Sequence, residues 1–126
     1  MRLLLLVCAG GAIGAGLRHL VNVGAIRLLG IGFPWGTLSV NIVGSFLMGL
    51  LIEALALRYS GSLEVRAFLA TGLLGGLTTF SAFSLDFAIQ LQRGDHLLAA
   101  LYLIGTVSLA IIALFVGLSA GRMLFS

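Results

Sequence analysis

The side chains able to do chemistry in this sequence are few, and most of them are neutral. Thr37, Asn41 and Ser45 recur every four residues, so on a helix they form one polar stripe in apolar surroundings. Tyr102 and Thr106 repeat that spacing later in the chain. Between them, the run Phe80-Ser81-Ala82-Phe83-Ser84 sets Phe80, Phe83 and Phe87 on one helical face and Ser81 and Ser84 on the adjacent one. A lone Ser or Thr commonly bonds back to the i−4 carbonyl or joins two helices, and a Phe pair is often plain packing. Asn41 is harder to dismiss, because an amide at membrane depth must find partners inside protein or in water. Hydroxyls, one amide and aromatic edges supply hydrogen-bond donors without a fixed charge. Such a lining suits the passage of an anion, and equally of water or a neutral solute.

The remaining inventory argues against catalysis. The carboxylates are Glu53, Glu64, Asp86 and Asp95, and residues 3–17 hold none. No Ser/His/Asp or Cys/His set, metal-ligand spacing or phosphate loop occurs, so an enzyme is not expected. The histidines, His19 and His96, stand beside Arg18 and Asp95 near segment ends and read as interfacial. The single cysteine, Cys8, excludes an intramolecular disulfide and reads as a small buried hydrophobe. Seven arginines and no lysine give a formal charge of +3. They are scattered singly, with no patch that would hold a nucleic acid.

These groups need a scaffold, and composition specifies its solvent. With 60% hydrophobic and 9% charged residues, the chain has too little polar surface for a soluble domain. The expected class is an all-α integral membrane protein, multi-pass in the cell membrane, with one domain over residues 1–126. No cleavable signal peptide is expected, since the first apolar run flows directly into Gly-rich helix sequence. Segments free of Asp, Glu and Arg, extended to the roughly 20 residues a crossing needs, predict helices at about 2–29, 34–57, 63–91 and 96–123. Loops then fall around 30–34, 58–64 and 92–96, and both termini face one side. Pro34 is expected in the first turn of the second helix, with Trp35 anchoring at the interface. Gly72, Gly75, Gly76, Thr78 and Thr79 cluster in the third segment, which is therefore expected to be broken near its middle. Such a break survives in a bilayer only inside protein or beside a wet cavity.

Arginine placement bears on orientation. Arg2, Arg58, Arg66 and Arg122 fall on the side of the termini, and Arg18, Arg27 and Arg93 on the other. Topology normally follows a clear Lys/Arg excess, and four against three is almost none. A chain so balanced is expected to insert both ways and to pair as an antiparallel, dual-topology homodimer. Discounting Arg18 as buried would sharpen the bias to four against two.

Three motifs together resemble the Fluc (CrcB-type) fluoride channels: Gly10-Gly11-Ala12-Ile13-Gly14-Ala15-Gly16-Leu17-Arg18, Pro34-Trp35-Gly36-Thr37-Leu38-Ser39-Val40-Asn41, and Gly75-Gly76-Leu77-Thr78-Thr79-Phe80-Ser81-Ala82-Phe83-Ser84. The likeness spans the whole chain in length, helix count and motif order, and the third motif is the specific one. It implies a fluoride-selective channel that lowers fluoride toxicity by passive export from the cytoplasm, working as an antiparallel homodimer with two pores. It also implies a structural, untransported sodium ion at the dimer centre, held by the backbone carbonyls of Gly75 and Thr78. By the same resemblance Asn41, Phe80 and Phe83 meet fluoride, with Ser81, Ser84, Thr37, Tyr102 and Thr106 along the path. Arg18 and Asp86 would stand in the vestibules. Ala82 replaces a hydroxyl common among relatives, and Ala110 lies where another may stand on the fourth helix.

The residue types suit that role. Fluoride holds its water tightly, so a pore must offer replacement donors, and phenyl ring edges add partial positive charge. A weak, multi-site path lets the ion leave again. The small multidrug exporters share the four-helix, dual-topology plan, but their coupling needs a carboxylate in the first helix. A scaffold or lysis protein would have no use for Asn41 together with the Phe/Ser run. On sequence alone, Asn41→Leu is expected to slow flux and leave folding intact.

Overall fold

The structure, a computed structural model, describes residues 1–58 and 62–126, so the middle of the loop expected at 58–64 lies outside the described residues. Helix α1 runs over Arg2–Leu29, α2 over Trp35–Leu57 and α6 over His96–Phe125. The third span, Leu63–Gln92, is composite. It contains α3 (Leu63–Val65), a π-helical stretch (Arg66–Leu74), α4 (Gly75–Leu77) and α5 (Phe80–Gln92). Among the described residues, four spans of 23 to 30 residues are long and apolar enough to cross a membrane. At a rise of about 1.5 Å per residue, each exceeds the roughly 30 Å hydrocarbon layer.

Burial is inverted relative to a soluble protein. Leu4, Ile104 and Phe115 are more than half exposed, whereas Thr37, Asn41, Gln90 and Thr106 are buried. Cys8, expected to be buried, is exposed on the chain's surface. Lipid solvates the apolar exterior, and the polar groups turn to the interior, where they can be satisfied. The chain is thus a multi-pass membrane protein.

Local chemistry ends the helices. Gly30 and Gly94 take positive φ (82° and 84°), closing α1 and the turn after α5, a backbone region open to glycine. Pro34 is the N-cap of α2, one position before the expected first turn. The 30–34 loop carries Trp35 N–H back onto the Phe33 carbonyl at 2.9 Å, so helical geometry begins only after Pro34. At the termini end, Arg2 pairs with Glu64 at 3.0 Å and Arg122 with Glu53 at 3.3 Å, tying α1 to the third span and α2 to α6.

Without a hydrophobic driving force between helices in lipid, packing needs small residues that let backbones touch. α1 lies on the π-helical stretch and α4, and α2 lies on α6. A Cβ added at Gly14 would sit 2.8 Å from Leu77 N and collide with the Leu73 carbonyl oxygen. Between α2 and α6, a Cβ at Gly49 would meet Leu118 N at 2.8 Å. These two contacts hold the pairs of spans at fixed depth, and α5 bridges to α6 beside the polar interior.

Candidate functional site

The polar interior is organised around Thr78 and Thr79. Between α4 and α5 the backbone leaves helical space, with φ/ψ of −82°/155° at Thr78 and −154°/126° at Thr79. Two non-helical residues at membrane depth leave backbone groups that must bond elsewhere. Asn41 on α2 takes two of them. Its Oδ1 accepts from Thr79 N–H at 2.8 Å, and its Nδ2 donates to the Thr79 carbonyl at 3.1 Å. Thr79 in turn caps α5, its Oγ1 accepting from Ala82 N–H at 3.2 Å. Arg18 on α1 donates from Nε to the Gly76 carbonyl at 3.1 Å, and the Thr78 hydroxyl donates to the Leu74 carbonyl at 2.9 Å.

These bonds redirect the donors of two carbonyls. The N–H four residues after Gly75 belongs to Thr79 and goes to Asn41, while that four residues after Thr78 belongs to Ala82 and goes to the Thr79 hydroxyl. The carbonyls of Gly75 and Thr78 are thereby released from their helical i+4 partners. Oxygen donors of this kind suit a hard cation, which takes carbonyls rather than thiolate or imidazole.

Two cavities lie end to end along α2 and α5. The first, about 280 Å³, is lined by Thr37, Trp35, Ala82, Asp86, Gln90 and Arg93, among others. The second, about 390 Å³, is lined by Asn41, Ser45, Gly75, Thr78, Phe80, Phe83, Thr106 and Ala110 with their neighbours. The stripe of α2 therefore passes from one cavity to the next, Thr37 in the first, Asn41 and Ser45 in the second. Thr106 Oγ1 is buried on the wall of the second cavity and finds no partner among the described residues. A buried hydroxyl without a partner is uncommon and marks this wall as a candidate for function.

An aromatic run stands between the cavities. Phe83 is 4% exposed and meets Phe80 edge-on, with ring centroids 5.7 Å apart at 64°. On its other side Tyr102 lies at 5.0 Å, and Phe33 follows Tyr102 at 5.4 Å and 84°. Tyr102 is fully buried and donates its hydroxyl to Asp86 Oδ2 at 3.0 Å, which fixes the carboxylate at the wall of the first cavity. Phe80, by contrast, is 77% exposed on the single protomer.

The sequence-selected residues thus sort themselves. Asn41, Phe80, Phe83, Thr106, Gly75 and Thr78 share the second cavity, and Thr37 and Asp86 share the first. Ser81 and Ser84 lie outside both walls on the exposed face. Ser84 Oγ bonds back to the Phe80 carbonyl at 3.0 Å, and Ser81 Oγ lies 3.4 Å from Thr79 Oγ1. Arg18 lies outside both walls as well, on the Gly76 carbonyl. Sequence reasoning did not single out Thr79 as the residue on which Asn41 and α5 converge. Its signal was the Thr-Thr pair closing the Gly-rich run.

The chain matches the family model described as CrcB-like protein, Camphor Resistance (CrcB), over residues 5–118. It is 59% identical over 119 residues to the Fluoride-specific ion channel FluC of Chelativorans sp. (strain BNC1), covering 94% of this chain and 95% of that protein. It is 61% identical over 121 residues to the protein of the same name from Mesorhizobium japonicum, covering 96% and 97%. With that of Agrobacterium fabrum it shares 55% identity over 120 residues, covering 95% and 96%.

Proposed function

The chain belongs to the CrcB-like family, and on that premise we propose that it is a fluoride-selective channel, not an enzyme. It lets fluoride leave the cytoplasm down its electrochemical gradient. The observation that carries this reading is the second cavity, where the Asn41 amide, the Phe80–Phe83 ring pair and the unpartnered Thr106 hydroxyl converge. Each offers partial positive charge, and none offers a full charge that would hold the ion in place. Phe83 presents its ring between neighbours on two sides, so its orientation is held by packing.

The working unit is an antiparallel homodimer. Phe80 and Gly75 are exposed on a single protomer although they line the polar cavity, and Ser81 and Ser84 share that open face. The Gly75 carbonyl on this face, released from its helical donor, would find no partner in lipid, and a second copy covering the face accounts for it. The broken third helix then lies at the centre of the pair. The carbonyls of Gly75 and Thr78, released from helical bonding, are the donors for a structural sodium ion there. When bound, sodium supplies a fixed positive field beside the path and ties the interrupted backbones together. Asn41 and Thr79 do the preparatory work, because they hold the carbonyls in the released state whether or not an ion is present.

The test is ion-selective efflux from liposomes containing the purified protein. Fluoride is expected to leave rapidly and chloride at the rate of protein-free liposomes. Fluoride retained as in empty liposomes would overturn the reading.

A further inference from the structure

The first cavity contains a polar group that the path through Asn41 does not use. Gln90 on α5 is 2% exposed and lines this cavity, and neither its Nε2 nor its Oε1 has a hydrogen-bond partner among the described residues. A buried amide with neither end satisfied is uncommon and is held at a cost. Burial within one protomer also means that a second copy laid on the outside does not reach it. The content of the cavity is the partner left, reached by a change of rotamer, since neither amide atom is open to it as placed. Gln has three side-chain torsions, and a change of rotamer that carries the amide to a ligand relieves the penalty it bears.

The rest of the wall decides what that ligand is. Asp86 and Gln90 follow at i and i+4 on one face of α5 and Arg93 is its C-cap, so a carboxylate, an amide and an arginine line the cavity in succession. Asp86 is occupied by the Tyr102 hydroxyl, and Arg93 offsets its charge. The wall is therefore neutral in sum, neither excluding a small anion nor trapping it. Asn22 from α1 faces the same space. An amide donates through nitrogen and accepts through oxygen, so it can bond a small anion and one of that anion's waters together.

We propose that Gln90 is an anion-binding residue of the first cavity, holding a partly hydrated fluoride before it reaches Asn41. The inference rests on the channel reading above. It adds a station at which the ion begins to exchange water for protein, one cavity ahead of the ring pair.

The experiment compares Gln90→Met and Gln90→Glu with the parent in liposome efflux across a range of fluoride concentrations. Gln90→Met keeps length and removes both polar atoms. It should raise the fluoride concentration for half-maximal flux at least about fivefold, with thermal stability in detergent equal to or above the parent's. Gln90→Glu places a negative charge where the amide stood, and its flux should fall below that of Gln90→Met. A purely structural Gln90 predicts the reverse for Met: lower stability and an unchanged concentration dependence, which would overturn the proposal. Equal flux for both variants and the parent would overturn it too, with the channel reading intact. A parent that carries no fluoride would remove the reading on which the proposal stands.

Discussion

Asn41 and Thr106 line the same cavity but stand in opposite structural positions, and their substitutions should separate accordingly. The Asn41 amide satisfies both the N–H and the carbonyl of Thr79. Asn41→Leu keeps approximate volume but orphans the Thr79 N–H, while the Thr79 carbonyl, as N-cap of α5, keeps its helical donor; the orphaned donor corrects the expectation that folding would be untouched. Thermal denaturation in detergent should show a loss of about 1–3 kcal/mol, the usual cost of leaving a buried polar group unsatisfied. Flux should fall at least about tenfold, the factor equivalent to 1.4 kcal/mol. Thr106→Val removes a hydroxyl that has no protein partner, so it should leave stability unchanged or slightly raised. Its fluoride flux should nevertheless fall. An unaltered efflux rate in a well-folded Thr106→Val protein would take this hydroxyl out of the path. The two variants together distinguish a residue that builds the site from one that only serves it.

The elements were legible in the sequence to the extent that their cause was local. Periodic polar stripes and uncharged lengths place Thr37, Asn41 and Ser45 on one face of α2, and the Gly-Gly-Leu-Thr-Thr run marks where the third span departs from helix. The π-helical stretch Arg66–Leu74 was not legible, because an i+5 bond pattern needs no distinctive residue and follows from how the span packs on α1. Nor was the capture of Thr79 by Asn41, since the two are 38 residues apart. Gln90 gave no signal because a lone amide near a charged loop looks like any surface residue. Packing at this scale is testable through glycine. Gly14→Ala drives a methyl into the backbone of the third span, whereas Gly24→Ala enters open space. The first should abolish recovery of folded protein on size-exclusion chromatography. The second should be neutral or gain up to about 1 kcal/mol from helix propensity. Comparable recovery of both would mean that α1 does not seat on the third span as described. The released carbonyls make a further prediction about the interrupted segment. Exchange of sodium for a bulky organic cation during purification and assay should lower fluoride flux, and returning sodium should restore it. Sodium flux through the protein should stay at background throughout, and measurable permeation would rule out a purely structural ion.

For the whole molecule, the question is how a single protomer leaves part of its polar path uncovered. Phe80 is 77% exposed, and Gly75, Ser81 and Ser84 share the open side of the third span. The Ser81 and Ser84 hydroxyls are partnered within the chain, but lipid would leave the released Gly75 carbonyl without a donor, at a cost of several kcal/mol for an unsatisfied backbone group. The proposed second copy would cover this face, and its proposed direction rests on charge. Glu53 and Glu64 pair with Arg122 and Arg2 at the termini end, but both arginines stay largely exposed and still count toward orientation, since acidic residues weigh little in it. Arg18 is bound to the Gly76 carbonyl inside the protein, so it adds little to the opposite side. The arginines then stand at four against three, or four against two without Arg18, a small excess that we expect to fix no single orientation. No face of the chain then dictates which end enters the cytoplasm, and both orientations should be made in similar amounts. A protease-cleavable tag at the C-terminus, probed in sealed vesicles of known sidedness, should be cut in roughly half of the copies and in the remainder only after permeabilisation. Cleavage of all copies from one side would exclude the antiparallel pair. The exposed Phe80 face would then have to be covered by a parallel partner, with the two interrupted segments no longer related by an axis in the membrane plane.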